Sequence, residues 1–227
     1  MSRFERAIVI GASGGIGSAM ADAVSERGGE VTGLHRASSP AIDLTDEASI
    51  EAAADAVSAR GPFDLIFIAT GALSLDAAGP EKNLRQLEPD HLGRIMALNA
   101  IGPALVIKHF HSLLPREGRC VIAALSARVG SIGDNGLGGW YGYRASKAAL
   151  NQFVRTASIE IRRKRQQAVT LALHPGTVET RLSADFTDGR KTFSPGEAAS
   201  KLLDVLEGAT PGMNGGFFDY AGEAIDW

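Results

Sequence analysis

The chain predicts an α/β fold: a single doubly wound domain, residues 1–227, in which helices flank a parallel sheet. Three observations carry this expectation. Short, mostly β-branched apolar runs recur throughout the sequence, longer amphipathic stretches separate them, and no Ser/Gly-rich linker, low-complexity tract or repeat breaks the alternation. With 44% hydrophobic and 22% charged residues over 227 positions, the core is large enough to stand without cross-links. The 23 Lys and Arg against 26 Asp and Glu point away from nucleic acid and from an anionic membrane as partners. Cys120 is the single cysteine, which excludes an intrachain disulfide, a CxxC redox pair and a cysteine-based zinc cluster; a cytoplasmic location is expected. Charge in the first six residues, and no apolar run approaching about 18 residues, predict a protein neither secreted nor membrane-spanning.

The first strand is expected at Ala7–Ile10 and runs into Gly11-Ala12-Ser13-Gly14-Gly15-Ile16-Gly17, with a helix over Gly15–Arg27. Spaced glycines allow a sharp turn and let a pyrophosphate approach the helix N-terminus, where N–H groups and the dipole favour an anion. Gly11, Ser13, Gly15, Ile16 and Gly17 are therefore candidate cofactor contacts. The spacing is GxxxGxG rather than GxGxxG, and no GK[ST] follows, which argues against a phosphate-cleaving loop. After the second strand, Val31–Leu34, an NAD site would place a carboxylate on the ribose 2′-hydroxyl. The sequence has His35-Arg36 there, so Arg36 would attract a 2′-phosphate, with Ser13 or Ser38 adding hydrogen bonds, and NADP(H) is favoured over NAD(H). A short third strand is expected at Pro40–Leu44, with Asp43 either holding an adenine amino group or capping a helix over Asp46–Ala59.

Further along, strands are expected at Asp64–Ala69, Arg119–Leu125, Ala168–Leu173 and Gly216–Tyr220, and helices at Pro89–Leu114, Tyr143–Arg165 and Pro195–Leu206. Loops 71–87, 130–139 and 177–194 all follow strand C-termini, the side on which open parallel sheets bind ligands. Tyr143 and Lys147 stand four apart on one helical face, so phenol and ammonium share a cleft. A free phenol titrates at about 10, and a neighbouring cation should bring it toward neutrality for proton exchange with a carbonyl or alcohol oxygen. The Arg162–Arg165 run reads as a solvated helix C-terminus, His109 and His111 point different ways and make no metal site, and Cys120 should be buried and inert. His174 is expected to make a structural hydrogen bond.

Taken in order, these motifs resemble the short-chain dehydrogenase/reductase family across essentially the whole chain. Gly11, Gly15 and Gly17 match its cofactor loop, Asn99 its helix asparagine, and Tyr143 and Lys147 its YxxxK. Pro175-Gly176-Thr177-Val178-Glu179-Thr180 matches the segment flanking the nicotinamide, with Pro175, Gly176, Val178 and Thr180 as contacts. The stretch from Ala124 to Asn151 and the Trp227 terminus resemble the C-factor-like and sniffer-like carbonyl reductases. The resemblance implies a Rossmann-type fold and an NADP(H)-dependent oxidoreductase that reduces a ketone or aldehyde, or oxidises the alcohol, with a homo-oligomer expected. In it, Tyr143 exchanges the proton, Lys147 holds the ribose and lowers the tyrosine pKa, and Asn99 supports a water relay. Two positions depart from the family. Ala69-Thr70-Gly71 replaces NAG, with Ala69 and Gly71 still expected at the cofactor, and Ala127 replaces the serine that positions the substrate carbonyl. Ser126, or failing it Ser131, is expected to take that place. The alternative is a cofactor-binding signalling or regulatory protein of the same fold with little turnover.

Overall fold

The computed structural model describes residues 4–75, 79–180 and 192–227. Six strands form one parallel sheet: β1 (Arg6–Ile10), β2 (Glu30–Leu34), β3 (Leu65–Ile68), β4 (Cys120–Leu125), β5 (Ala168–His174) and β6 (Phe217–Asp219), in the spatial order β2-β1-β3-β4-β5-β6. The chain leaves β1 toward β2 on one side and then crosses to β3 on the other, in the register Ile10↔Leu34 and Ile10↔Ile68. The crevice at the C-terminal ends of β1 and β3 is therefore the point where connections diverge.

Helices cover both faces, which is why the strands read as unbroken apolar runs. Ile8, Ile66, Ile122 and Ala172 face one way, onto Ile50 and Val57 of α2 (Glu47–Val57), Val106 and Phe110 of α4 (Gly102–Phe110), and Leu150 and Val154 of α5 (Tyr141–Lys164). Their neighbours Ala7, Val9, Phe67, Val121 and Leu171 face the other way, onto Met20 and Val24 of α1 (Gly15–Glu26) and Leu202 and Leu206 of α6 (Pro195–Gly208). Cutting one of these large side chains, such as the fully buried Phe67, to alanine would cost about 3–5 kcal/mol. Local chemistry sets the helix starts. The Asp46 carboxylate accepts from Ala48 N at 3.0 Å, and Ser194 and Glu197 form a capping box before Pro195.

Two expected elements come out differently. Pro40–Leu44 is not a strand. The Ser38 hydroxyl accepts from His35 N, and Ile42 N bonds back to His35 O, which folds the segment off the sheet edge; Ile42 and Leu44 bury themselves in the α2 face of the core. The helix expected over Pro89–Leu114 is also not regular. It runs as α3 (Pro89–Met96), one π-helical turn over Ala97–Ile101, then α4 and a closing 3-10 turn at His111–Leu113. At its centre Gly102 packs so closely that an added Cβ would lie 2.4 Å from Leu44 O. Such wide turns recur at functional sites, and this one carries Asn99.

Candidate active site

The site grows from the end of β1. Gly11 turns with φ +88°, and a Cβ there would lie 2.7 Å from Ala69 O; a Cβ on Gly17 would fall 2.1 Å from Gly11 O. Only glycine fits either place. α1 begins under Gly14 with no side-chain cap and no acidic residue in its first turn, so its N–H groups face a cavity of about 490 Å³. Ser13, Gly15, Ile16, Ala69, Gly71, Tyr143, Lys147, Pro175 and Thr180 line that cavity. Thr70, on the same wall, has a buried hydroxyl with no partner among the described residues. A turn with no room for side chains, capless N–H groups and an orphaned hydroxyl fit a dinucleotide in this place.

Arg36 is exposed beyond β2 and lies close enough to Asp43 to help hold its carboxyl low. The larger causes of that lowering are the hydrogen bonds that Asp43 accepts from Thr45 N and Thr45 Oγ1, at 2.9 and 2.7 Å. One Asp43 oxygen is thus already committed, and the cap of α2 is Asp46 rather than Asp43. Ser38 is spent on its own loop, between His35 and Pro40 carbonyls.

Tyr143 and Lys147 lie on the buried face of α5, as their spacing requires. The Lys147 ammonium donates to Leu125 O at 2.8 Å and stands 5.9 Å from the centre of the Tyr143 ring. Burial pushes Lys147 down to about 8 and Tyr143 up to about 12. Desolvation of the phenolate thus works against the lowering expected from the neighbouring ammonium. Asn99 is fully buried. Its Oδ1 accepts from Ala72 N at 2.8 Å, and its Nδ2 donates to Ala72 O at 2.8 Å and to Ser146 Oγ at 3.0 Å. Gly71 passes between the two groups, since a Cβ there would lie 3.0 Å from Lys147 Nζ and 3.3 Å from Asn99 Oδ1.

A second cavity, about 390 Å³, adjoins the first and shares Ile16, Ser126, Tyr143, Pro175 and Thr180 with it. Leu73, Val129, Leu137 and Trp140 make it largely apolar; Gly176 and Val178 lie on its wall with Ala127, Arg128 and His174. Ser126 borders both cavities, but its hydroxyl donates to Asn151 Oδ1 at 2.6 Å. No turn follows Leu125: Ser126 N still bonds to Leu173 O, and Ala127 is extended (φ −148°, ψ 145°). Ser126 thus leans toward α5, and the carbonyl donor expected there is in use. Ser131 Oγ accepts from Asp134 N at 3.1 Å and lines neither cavity.

Sequence reasoning missed two features of this second wall. Arg128 reaches Asp219 of β6 at 3.3 Å, a pairing across 91 positions that no local pattern announces. His174 does not make the structural bond expected of it: Nδ1 is buried without a partner among the described residues, and burial, with Arg128 nearby, lowers its pKa to about 4. Cys120 is buried as expected, its thiol pushed up to about 11. Among the described residues no His, Cys, Asp or Glu group is placed to hold a metal ion, and no helix is long and apolar enough to cross a membrane.

A parallel sheet whose switch point carries a glycine turn, with a buried Tyr–Lys pair facing it, defines a Rossmann-like oxidoreductase with a nicotinamide cofactor site. The chain belongs to the short chain dehydrogenase family, whose model matches residues 5–191. It is 31% identical over 232 residues to 1-hydroxy-2-glutathionyl-2-methyl-3-butene dehydrogenase of Rhodococcus sp. (strain AD45), covering 97% of this chain and 98% of that protein. It is 34% identical over 170 residues to C-signal of Myxococcus xanthus, covering 74% and 94%. Among solved structures, a short-chain dehydrogenase/reductase from Burkholderia multivorans with bound NADP superimposes with a TM-score of 0.83 at 29% identity, covering 99% of this chain and 100% of that one. NADPH-bound carbonyl reductase from chicken fatty liver shares the fold, with a TM-score of 0.88 at 24% identity over 100% and 96%.

Proposed function

We propose that the protein reduces a ketone or aldehyde, or oxidises the corresponding alcohol, with NADP(H) as cofactor and Tyr143 as the group that exchanges the proton. One observation carries this reading: Tyr143 borders both cavities, so a carbonyl in the second meets the phenol beside whatever occupies the first. When bound, the dinucleotide supplies or accepts the hydride. Tyr143 holds its proton at neutral pH, because burial keeps the phenol neutral, and delivers it from Oη as charge grows on the carbonyl oxygen. Lys147, anchored on Leu125 O, keeps two further N–H donors for ribose hydroxyls. Asn99 commits both amide hydrogens and one lone pair of Oδ1 to Ala72 and Ser146, which sets the Gly71 loop beside Lys147, and the second lone pair of Oδ1 is left for the water of a relay. Gly11, Gly15 and Gly17 give the pyrophosphate its room, Ser13, Ile16, Ala69, Pro175 and Thr180 wall the cofactor, and Gly176 and Val178 adjoin its reactive end. Arg36 meets the 2′-phosphate, and the free oxygen of Asp43 meets the adenine.

The NADP bound in the Burkholderia multivorans relative supports the cofactor preference. Purified protein mixed with NADPH and a panel of aldehydes and ketones, followed by loss of nicotinamide absorbance, tests the reading. Turnover faster with NADPH than with NADH is expected. Tight NADPH binding with no turnover on any carbonyl would favour the second reading, a cofactor-binding regulatory protein. The observations on that side are Ala127, the commitment of Ser126 to Asn151, and the similarity to C-signal.

A further inference from the structure

Helix α5 carries Tyr143 in its first turn, yet that end has no cap of its own. No acidic residue stands in the first turn, and the residue before it, Trp140, offers no side-chain cap. Trp140 also sits in the left-handed region (φ 54°, ψ 43°), following Gly138 and Gly139 at φ +66° and +67°. That backbone is unfavourable for tryptophan and persists only where its surroundings hold it. The surroundings are Arg144, one turn into α5, and Glu81, from the segment before α3. Arg144 donates to the carbonyls of Val129, Gly138 and Gly139 at 3.0–3.3 Å. Glu81, 6% exposed, accepts from Trp140 N with its main-chain oxygen at 2.5 Å and from Gly142 N with Oε2 at 3.1 Å.

A carboxylate this buried needs compensation. It finds it at the positive end of α5 through Oε2, while Oε1 lies 3.7 Å from His91 Nε2 of α3 and has no hydrogen-bond partner among the described residues. The approach is close: a Cβ on Gly142 would lie 2.8 Å from Oε1. Just past the clamp, the Trp140 ring meets Tyr143 edge-on at 6.4 Å, and both line the second cavity.

We propose that Glu81 is a positioning residue, holding the left-handed turn at Trp140 so that Trp140 and the Tyr143 phenol keep their places on the wall of the substrate cavity. The effect on turnover rests on the reading of Tyr143 as proton donor; the clamp itself does not. Glu81→Ala should lower kcat on the order of 100-fold, the scale of a misplaced reacting group, with NADPH affinity unchanged. Glu81→Gln keeps an oxygen for Gly142 N and should restore most of the turnover. Glu81→Asp keeps the charge, withdraws the oxygens by one methylene and should behave as Glu81→Ala does, which preserves the test if the alanine variant fails to fold.

Hydrogen exchange at the Trp140 and Gly142 amides needs no turnover: both should be slow in the wild type, and Gly142 should be fast in Glu81→Asp and slow again in Glu81→Gln, with Trp140, held by the Glu81 main-chain oxygen, as the internal reference. If the wild type reduces no carbonyl, the reductase reading falls while exchange still decides the clamp. Wild-type kcat in Glu81→Ala or Glu81→Asp, equal impairment in Glu81→Gln, or unprotected wild-type amides would overturn the proposal.

Discussion

Ser126→Ala separates two roles for one hydroxyl. In the structure Ser126 Oγ donates to Asn151 Oδ1 at 2.6 Å, both residues are buried, and Asn151 Nδ2 already lacks a partner. Removing the hydroxyl leaves the Asn151 amide buried with neither end bonded, a loss of about 1–3 kcal/mol. At about 2–4 °C per kcal/mol for a chain of this size, Tm should fall by roughly 4–8 °C for a mid-range loss. Turnover should change little, because the proton was given to Asn151 and not to substrate. Ala127→Ser is the companion variant. Ala127 is extended, half-exposed and on the wall of the second cavity, so an added hydroxyl has room beside the carbonyl. A new donor of that kind is worth on the order of 100-fold in turnover. Thermal denaturation and steady-state kinetics on both variants check the reasoning. A Ser126→Ala enzyme with unchanged Tm and turnover down by two orders of magnitude would refute it, since Ser126 would then be the substrate's donor.

Tyr143→Phe should remove on the order of 100-fold or more of kcat while NADPH titration stays near wild type; retained turnover would exclude the phenol as proton donor. Arg36→Leu should erase on the order of tenfold of the preference for NADPH over NADH, measured by titrating both cofactors. His174 gives a pH signature. Its folded pKa of about 4 lies below the ordinary histidine value of 6.5, so the unfolded chain binds the extra proton first as pH falls. Stability should be fully present above about 6.5 and lost down to about 4, by about 3 kcal/mol in all, and His174→Gln should flatten Tm against pH across that window.

The βαβ rhythm was legible because helices cover both faces of the sheet and leave strands such as Leu65–Ile68 wholly apolar. The glycine turn and the Tyr143–Lys147 pair were legible because their chemistry lies within one turn of chain. What escaped depends on contacts distant in sequence. Ile42 and Leu44 alternate like a strand but fill the core beside α2, and the wide turn at Ala97–Ile101 keeps helical periodicity while changing the helix. Ser126 with Asn151, Glu81 with Gly142 and Arg128 with Asp219 pair across 25, 61 and 91 positions, and no local spacing encodes such meetings.

Asn99 and Ala72 exchange hydrogen bonds in both directions, N–H to oxygen and oxygen to N–H, each at 2.8 Å. A neighbouring strand offers the same two-way exchange. Beyond Ala69, whose N–H still bonds to Ile10 O, the chain leaves the β3 ladder, so one side-chain amide serves there as a surrogate rung, a single peptide-like unit lent by a helix. An aspartate would keep the acceptor and lose the donor, and a leucine of similar volume would lose both. A glutamine, one methylene longer, would have to fold back to lie flat against the same peptide. The register of the loop that passes Lys147 is thus written in the length of one side chain, and the wide helical turn is the mount that brings that side chain to the right height.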